Sequence, residues 1–277
     1  MHDFAITETK IVIFSHPLKF NLPQSMRGGL PFTYDRSAPS YFGVIDRTRS
    51  PSDASTSSGI AWIPAENCYC YHVMAAFDDK DDDQVHLFAQ KLEETGALGM
   101  ATAVEGGREV PNFRPKEVAT LHKWTLRTAQ GGPPRVMESK EMCDLLSDFC
   151  EINPQYVGRE CAYGYSLRMS REKNAGGGIP LFDGLIKHDL GTGEYEVLEM
   201  DEDKVIDDLT FVVDDARPRA EDSGWLMFFS HSLSEEKSWL EIVDAADISA
   251  GSVATVELPF IPLGFHATWV PEEYAKN

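Results

Sequence analysis

Short runs in which hydrophobic and polar residues alternate, separated by turn residues, dominate this chain. Alternate residues of a strand face the same side, so this pattern over about four to eight residues predicts strands with one buried face. Strands are predicted at residues 10–14, 59–63, 68–77, 84–92, 120–127, 162–169, 184–189, 194–199, 209–213, 224–230, 238–243 and 253–258. Helical periodicity is scarce, and only residues 140–148 have a pattern that favours a helix.

Many short strands with few helices predict an all-β protein, which folds as a sandwich, a barrel or a propeller. No repeat of fixed period stands out, so the hydrophobic pattern leaves these architectures open. A chain of 277 residues is long enough to bury a substantial core, and we expect a single domain over residues 1–277.

Charge and composition narrow the class of protein further. The net charge of −20 argues against a nucleic-acid partner, and it opposes anionic lipid surfaces unless apolar patches drive peripheral membrane contact. No apolar run approaches the roughly 18 residues of a transmembrane segment, and the first residues do not resemble a signal peptide. Five cysteines form no CxxC pair, which indicates reduced thiols. These features predict an intracellular protein, in the cytoplasm or a plastid.

Local sequence motifs for catalysis are absent. The eight histidines form no HxH or HExxH motif, so any histidine metal site must be assembled from distant segments. GxSxG, Walker and dinucleotide-binding patterns do not occur either. Residue patterns alone therefore predict an acidic all-β domain and assign it no chemistry.

Longer segments carry a more specific signal. Residues 1–7 (MHDFAIT) and 264–269 (GFHATW) resemble the two signatures of the carotenoid cleavage oxygenase family that each hold a histidine ligand of iron. Further segments resemble the same family in the same order: 41–47 (YFGVIDR), 71–79 (YHVMAAFDD), 152–166 (INPQYVGRECAYGYS), 186–193 (IKHDLGTG), 221–226 (EDSGWL) and 253–259 (VATVELP). The resemblance covers nearly the whole chain, and matches in sequential order are far more specific than one match.

The resemblance implies a fold and a reaction. It implies the C-terminal blades of a seven-bladed β-propeller, with the N-terminal blades missing, and Fe(II) held on the axis by four histidines from different blades. Four neutral imidazoles suit Fe(II) and leave positions open for dioxygen. The implied substrate is an apolar polyene, a carotenoid or apocarotenoid, of which one double bond is cleaved to two carbonyl products. Relatives that act on stilbene-like phenolics share these motifs.

The resemblance also implies roles for individual residues. His2 matches the third iron ligand of the family and His266 the fourth. Asp148 and Asp208 match positions whose carboxylates accept the second ring N–H of iron-bound histidines. At position 208 the family usually has the longer Glu, followed by a proline where this chain has Leu209.

Three further positions bear on this site. Asp78 stands where Glu is usual, and Ala75 stands where Asn is typical. His72 matches a recurrent histidine of the family that is not an iron ligand, and we expect a buried, hydrogen-bonded strand residue.

The first two histidine ligands of the family lie upstream of the MHDF signature and have no counterpart in this sequence. The sequence thus predicts a shortened dioxygenase in which two imidazoles bind iron weakly. The alternative is a non-catalytic propeller fragment that binds an apolar isoprenoid or a partner chain.

Overall fold

The structure of the protein, a computed structural model, describes residues 2–48, 59–79, 83–111, 114, 117–128, 132–174, 180–217 and 220–275. Strands account for 53% of the described residues, which confirms the all-β prediction. Cys68, Cys70, Cys143 and Cys161 are buried, and Cys150 is partly buried. In the described part of the chain, no helix combines the length and apolar character needed to cross a membrane.

The strands follow one another along the chain with few helices between them. They are β1 (Phe4–Ile6), β2 (Lys10–Ser15), β3 (Leu18–Phe20), β4 (Phe32–Asp35), β5 (Ser40–Asp46), β6 (Ile60–Ala65), β7 (Tyr69–Asp79), β8 (Gln84–Leu92), β9 (Ala101–Glu105), β10 (Arg108–Glu109), β11 (Thr120–Arg127), β12 (Arg135–Glu141), β13 (Ser147–Glu151), β14 (Tyr163–Met169), β15 (Phe182–Asp189), β16 (Tyr195–Glu199), β17 (Lys204–Val213), β18 (Gly224–Ser232), β19 (Lys237–Asp244) and β20 (Ser252–Leu258). Among the described residues, the helices are α1 (Leu22–Met26), α2 (Glu272–Ala275) and two 3-10 turns at Pro154–Tyr156 and Ile248–Ala250.

Each strand predicted from alternation is present, and β8 and β11 have the predicted bounds. The predicted helix at 140–148 is wrong, because β12 ends at Glu141 and β13 begins at Ser147. Pairing with neighbouring strands overrides the helical spacing of the apolar residues in this segment. Eight further strands were not predicted: β1, β3, β4, β5, β9, β10, β12 and β13.

The chain divides into two compact units. That the two units together form a single domain over residues 1–277 stays a prediction. Unit 1 comprises Met1–Asp144, Gly158–Glu160 and Gly176–Pro180. Its described residues form three four-stranded sheets, with strand orders β1-β2-β5-β6, β10-β9-β4-β3 and β12-β11-β8-β7. Neighbouring strands are antiparallel except β4 and β9. Trp124, Phe42 and Leu87 are buried in the main core of this unit.

Unit 2 comprises Leu145–Val157, Cys161–Ala175 and Leu181–Asn277. Its described strands form one antiparallel sheet in the order β13-β14-β15-β17-β18-β19-β20, with β16 paired to β15. Leu167, Leu185 and Phe228 are buried in this unit. β20 is the edge strand at the end opposite to β13, and its side chains are exposed apart from that of Leu258, which is partly buried.

Candidate metal centre

Unit 1 places two imidazoles side by side. His2 is exposed and precedes β1, and its ring centroid lies 5.2 Å from that of His72 in an edge-on arrangement. One ring nitrogen of each residue lies within 4.8 Å of the other. The Tyr71 ring lies at the same centroid distance from His2, also edge-on. His2 therefore shares its surroundings with a second possible nitrogen donor.

Two β-bulges in β7 surround His72. Cys70 pairs with Lys91 and Val73 with Ala89, so three steps along β7 match two steps along β8. The register shifts again before Ala75. A bulge adds one residue to a strand and redirects the local side chains. It also takes the Val73 N–H out of the ladder.

Asp3 provides the acceptor for this N–H group. Its Oδ2 accepts the Val73 N–H at 2.8 Å, while its Oδ1 accepts the Phe4 N–H at 2.7 Å. The residue that follows His2 is thus tied to the bulged part of β7. Sequence reasoning expected a buried His72 outside the metal site, but His72 is half-buried and lies against His2. The sequence has no local signal for this proximity, because it follows from the packing of strands that are distant along the chain.

The other two positions noted in this motif do not bear on the histidines in this way. The Asp78 carboxylate accepts the Thr7 hydroxyl at 2.8 Å and the Thr9 N–H at 2.9 Å. It therefore stabilises the turn between β1 and β2. Ala75 is 3% exposed and belongs to the core.

Unit 2 presents one imidazole beside an apolar wall. His266 is exposed and belongs to residues 259–271, which form neither helix nor strand. Its ring centroid lies 5.0 Å from that of Phe149. The Phe149 ring centroid also lies 5.3 Å from that of Phe182 and 6.1 Å from that of Phe265. Three phenyl rings thus cluster next to His266.

A bulge in β13 places Asp148 and Phe149. Asp148 pairs with Leu167 and Glu151 with Tyr165, so one extra residue lies between them on β13. Phe149 has φ 53°, a left-handed conformation that costs a bulky residue roughly 1–3 kcal/mol. Asp148 is buried, and its Oδ1 accepts the Phe149 N–H at 2.9 Å. Such strain is common where a fold directs side chains into a site.

A second bulge, in β17, places Asp208. Asp207 pairs with Phe229 and Thr210 with Met227, and Asp208 also has φ 53°. The Asp208 Oδ1 is buried, with no hydrogen-bond partner among the described residues. Burial raises the pKa of the Asp208 carboxyl above its ordinary value, and the charge of Asp207 raises it further.

The Asp208 carboxylate lies against the segment that carries His266. A Cβ placed on Gly264 would lie only 1.9 Å from Asp208 Oδ2, so only glycine allows this approach. The Asp208 carboxylate therefore lies against Gly264, which is two residues before His266 in the sequence. Buried polar atoms in proteins normally have a partner, so the buried Asp208 Oδ1 fits an acceptor role in a metal site.

The donors in each unit suit iron. Imidazole nitrogens bind Fe, Zn, Cu and Ni, and carboxylates that accept ring N–H groups fix the orientation of such ligands. Unit 1 holds His2 and His72 as candidate nitrogen donors. Unit 2 holds His266 as a candidate donor, with Asp148 and Asp208 on bulges of the same unit. In each unit the residue types are those that bind and orient at a histidine-bound metal ion.

Comparison with known proteins identifies the family. The family model for retinal pigment epithelial membrane protein matches residues 1–271. A carotenoid 9,10(9',10')-cleavage dioxygenase of Crocus sativus is 30% identical over 99% of this chain and 48% of its own length. A lignostilbene dioxygenase of Pseudomonas brassicacearum superposes with a TM-score of 0.80 at 25% identity, covering 98% of this chain and 55% of that one.

A cobalt-substituted ACO of Synechocystis superposes with a TM-score of 0.77 at 22% identity, over 97% of this chain and 52% of its own. These structural neighbours have β-propeller folds, which confirms the propeller prediction for the part of the fold that the chain covers. The chain spans about half the length of the curated relatives that it matches. It belongs to the retinal pigment epithelial membrane protein family, the carotenoid cleavage oxygenases.

Proposed function

We propose that the protein containing this chain cleaves a carbon–carbon double bond of a carotenoid or apocarotenoid, using Fe(II) and dioxygen. The observation that carries this proposal is the family match over residues 1–271, which spans both histidine signatures. The 30% identity to a carotenoid dioxygenase over nearly the whole chain supports the same reaction class.

His2 and His266 are the proposed iron ligands of this chain. His72 lies close enough to His2 to approach the same ion after a side-chain rotation. Asp148 and Asp208 are proposed to orient the imidazoles by accepting ring N–H groups. Asp is one methylene shorter than the usual Glu, and the bulges at Phe149 and Asp208 support this role because they redirect the strands at these positions. When bound, ferrous iron supplies the activation of dioxygen.

The side chains of unit 2 suit a long apolar substrate. Phe149, Phe182 and Phe265 form an apolar wall beside His266. Such walls hold an apolar ligand by removing its surface from water, and they fix the position of a reacting bond. A stilbene-like phenolic is the second substrate class, and the structural match to a lignostilbene dioxygenase supports including it in assays.

Two of the four family histidines have no counterpart in this sequence, so we propose that full iron affinity requires further polypeptide, in the same or a partner chain. Two imidazoles hold a divalent metal weakly. The compartment, cytoplasm or plastid, stays a prediction.

Titration of the purified chain with Fe(II) under nitrogen tests the ligand assignment. His2→Ala and His266→Ala are each expected to weaken iron binding at least about tenfold, because each removes a nitrogen donor. His86→Ala is the matched control, since His86 is a part-buried histidine of β8 bonded to Thr125. Unchanged affinity in both ligand variants would contradict the assignment and favour the non-catalytic alternative.

Turnover is tested in the full-length protein that contains the chain. His266→Ala is expected to abolish conversion of an apocarotenal to two carbonyl products, measured by chromatography together with oxygen uptake. Conversion of a hydroxylated stilbene in place of the apocarotenal would shift the substrate class. Retained cleavage by His266→Ala would refute its role as a ligand.

A further inference from the structure

Three buried side chains, one each on β17, β18 and β19 of unit 2, form a hydrogen-bonded network. His231 Nδ1 lies 3.0 Å from Ser238 Oγ, and His231 Nε2 lies 3.2 Å from Asp207 Oδ1. His231 and Ser238 are 0% exposed, and Asp207 is 7% exposed. Buried polar groups of this kind are costly unless every member is satisfied.

Both end members of this network, Ser238 and Asp207, bind the backbone of the segment that carries His266. The Ile261 N–H donates to Ser238 Oγ at 3.1 Å. The Gly264 N–H donates to Asp207 Oδ2 at 2.8 Å. Residues 259–271 form no helix or strand, so side-chain acceptors replace the ladder that holds a strand in place.

The residue types are those of a Ser-His-Asp triad, but the arrangement cannot act as one. A triad serine must reach the substrate carbonyl beside donors that stabilise an oxyanion. Ser238 and its histidine have no exposed surface, so no substrate reaches the hydroxyl. The three residues therefore serve the fold and its site.

The hydrogen bonds of the network determine where the His231 and Ser238 protons lie. An ionised Asp207 accepts from both Gly264 N–H and His231, so the proton of a neutral His231 ring is on Nε2. The bare Nδ1 then accepts the Ser238 hydroxyl proton, and Ser238 Oγ accepts from Ile261 N–H. Each donor is used once, and the His231 ring is held as the Nε2–H tautomer.

We propose that Asp207, His231 and Ser238 are positioning residues that fix the segment from Ile261 to Gly264 and thereby hold the His266 imidazole in place. The part that concerns metal binding rests on the proposed function of His266. The motif comparison singled out Asp208, whereas the bonds to the segment come from its neighbour Asp207. At the bulge in β17, Asp207 bonds His231 and Gly264, while Asp208 Oδ1 has no hydrogen-bond partner among the described residues.

Residue-resolved amide exchange on the metal-free protein tests whether Asp207, His231 and Ser238 fix the segment from Ile261 to Gly264. Ser238→Ala is expected to speed exchange at Ile261 roughly fivefold, because it removes one neutral hydrogen bond. Ser166→Ala is the matched control, because Ser166 is equally buried in unit 2 and its hydroxyl lies 2.8 Å from His188 Nε2 rather than against the segment. Equal exchange at Ile261 in the two variants and the unchanged protein would overturn the proposal.

Replacement of Asp207 separates geometry from charge. Asp207→Ala is expected to speed exchange at Gly264 by roughly tenfold or more, since it removes a charge-assisted acceptor. In Asp207→Asn the amide oxygen still accepts from Gly264, while the amide NH2 donates to His231. This variant should keep exchange near the original rate and move the ring proton to Nδ1, a change visible in the imidazole 15N spectrum. An unaltered tautomer would contradict the proton assignment.

Cobalt(II) titration, followed by its visible absorption, adds the readout for positioning. Ser238→Ala should weaken binding and alter the spectrum, whereas Ser166→Ala should do neither at a comparable loss of stability. If the unchanged chain binds no cobalt, the proposed role of His266 as a metal ligand fails. The exchange results still decide whether the three residues fix the segment from Ile261 to Gly264. Altered exchange with an unaltered cobalt spectrum and affinity would confine the three residues to the fold and overturn their positioning role.

Discussion

The two units present an imidazole by different means. In unit 1, His2 is next to strand β1, and the Asp3 carboxylate ties the start of this region to β7. In unit 2, His266 lies in a segment without a ladder. Side chains of Asp207 and Ser238 bind that segment, and Gly264 packs directly on Asp208.

The difference decides how each histidine responds to substitution. A ladder spreads its hydrogen bonds over many backbone groups, so loss of one side chain leaves the strand in place. A segment held by two or three side chains depends on each of them. We therefore expect the His266 segment to be sensitive to single substitutions and the His2 strand to be tolerant.

The largest effect is expected from Gly264→Ala. The new methyl group would lie 1.9 Å from Asp208 Oδ2 and 2.6 Å from its Cγ, so the carboxylate or the segment must move. We expect a loss of about 3 kcal/mol in the free energy of unfolding, the upper range for overpacking, together with weaker iron binding. Urea unfolding and metal titration measure the two effects.

Gly191→Ala is the control for this substitution. The nearest atom to a Cβ there is Asp189 Oδ1 at 3.4 Å, an ordinary contact. This variant should be as stable as the original or slightly more stable, because alanine restricts the unfolded chain. Equal effects of the two substitutions would show that Gly264 has no special role.

A smaller effect is expected from Asp3→Ala in unit 1. The Val73 N–H loses a charged acceptor, which costs about 2 kcal/mol. Asp3→Asn should recover part of this loss, since its amide oxygen still accepts. Urea unfolding of the three proteins gives the values. If Asp3→Ala weakened iron binding more than Gly264→Ala, the contrast between the two histidines would be reversed.

A pH dependence of the stability reports on the two units separately. Burial lowers the pKa of His122 in unit 1 from 6.5 to about 4, and that of His188 in unit 2 to about 3. The unfolded chain takes up these protons below about pH 6.5 and the folded chain does not. Stability therefore falls with pH below 6.5, by about 1.4 kcal/mol per pH unit for each residue until its folded pKa is reached.

His122→Gln and His188→Gln each remove one of these contributions. Urea unfolding between pH 7 and pH 4.5 should show a shallower slope for each variant than for the original protein. A slope that stays the same in both variants would mean that these rings are protonated in the folded state.

The regular part of the fold was predictable from the sequence. β8 begins and β11 ends with alternating apolar and polar residues (QVHL and WTLR), and the predicted bounds of both strands are those observed. Several missed strands are short, as β1 and β10 are, or largely exposed, as β12 is, whereas β5 has seven residues and is largely buried. A strand without a buried face has no alternation to detect.

The site was predictable only in part. Motif comparison selected His2, His266, Asp148 and Asp208, but the role of Asp207 was missed. A bulge is not visible in the hydrophobic pattern, so adjacent aspartates could not be told apart. The proximity of His72 to His2 likewise depends on pairing between distant strands, which one sequence does not encode locally.

In genetic terms, each of the bulges at Phe149 and Asp208 amounts to one additional codon in an otherwise continuous strand. Loss of that codon would restore an unbroken ladder and turn the neighbouring carboxylate to another face, while the alternation on either side persists. A single-codon deletion is therefore expected to abolish the proposed metal site and leave the strands almost unchanged.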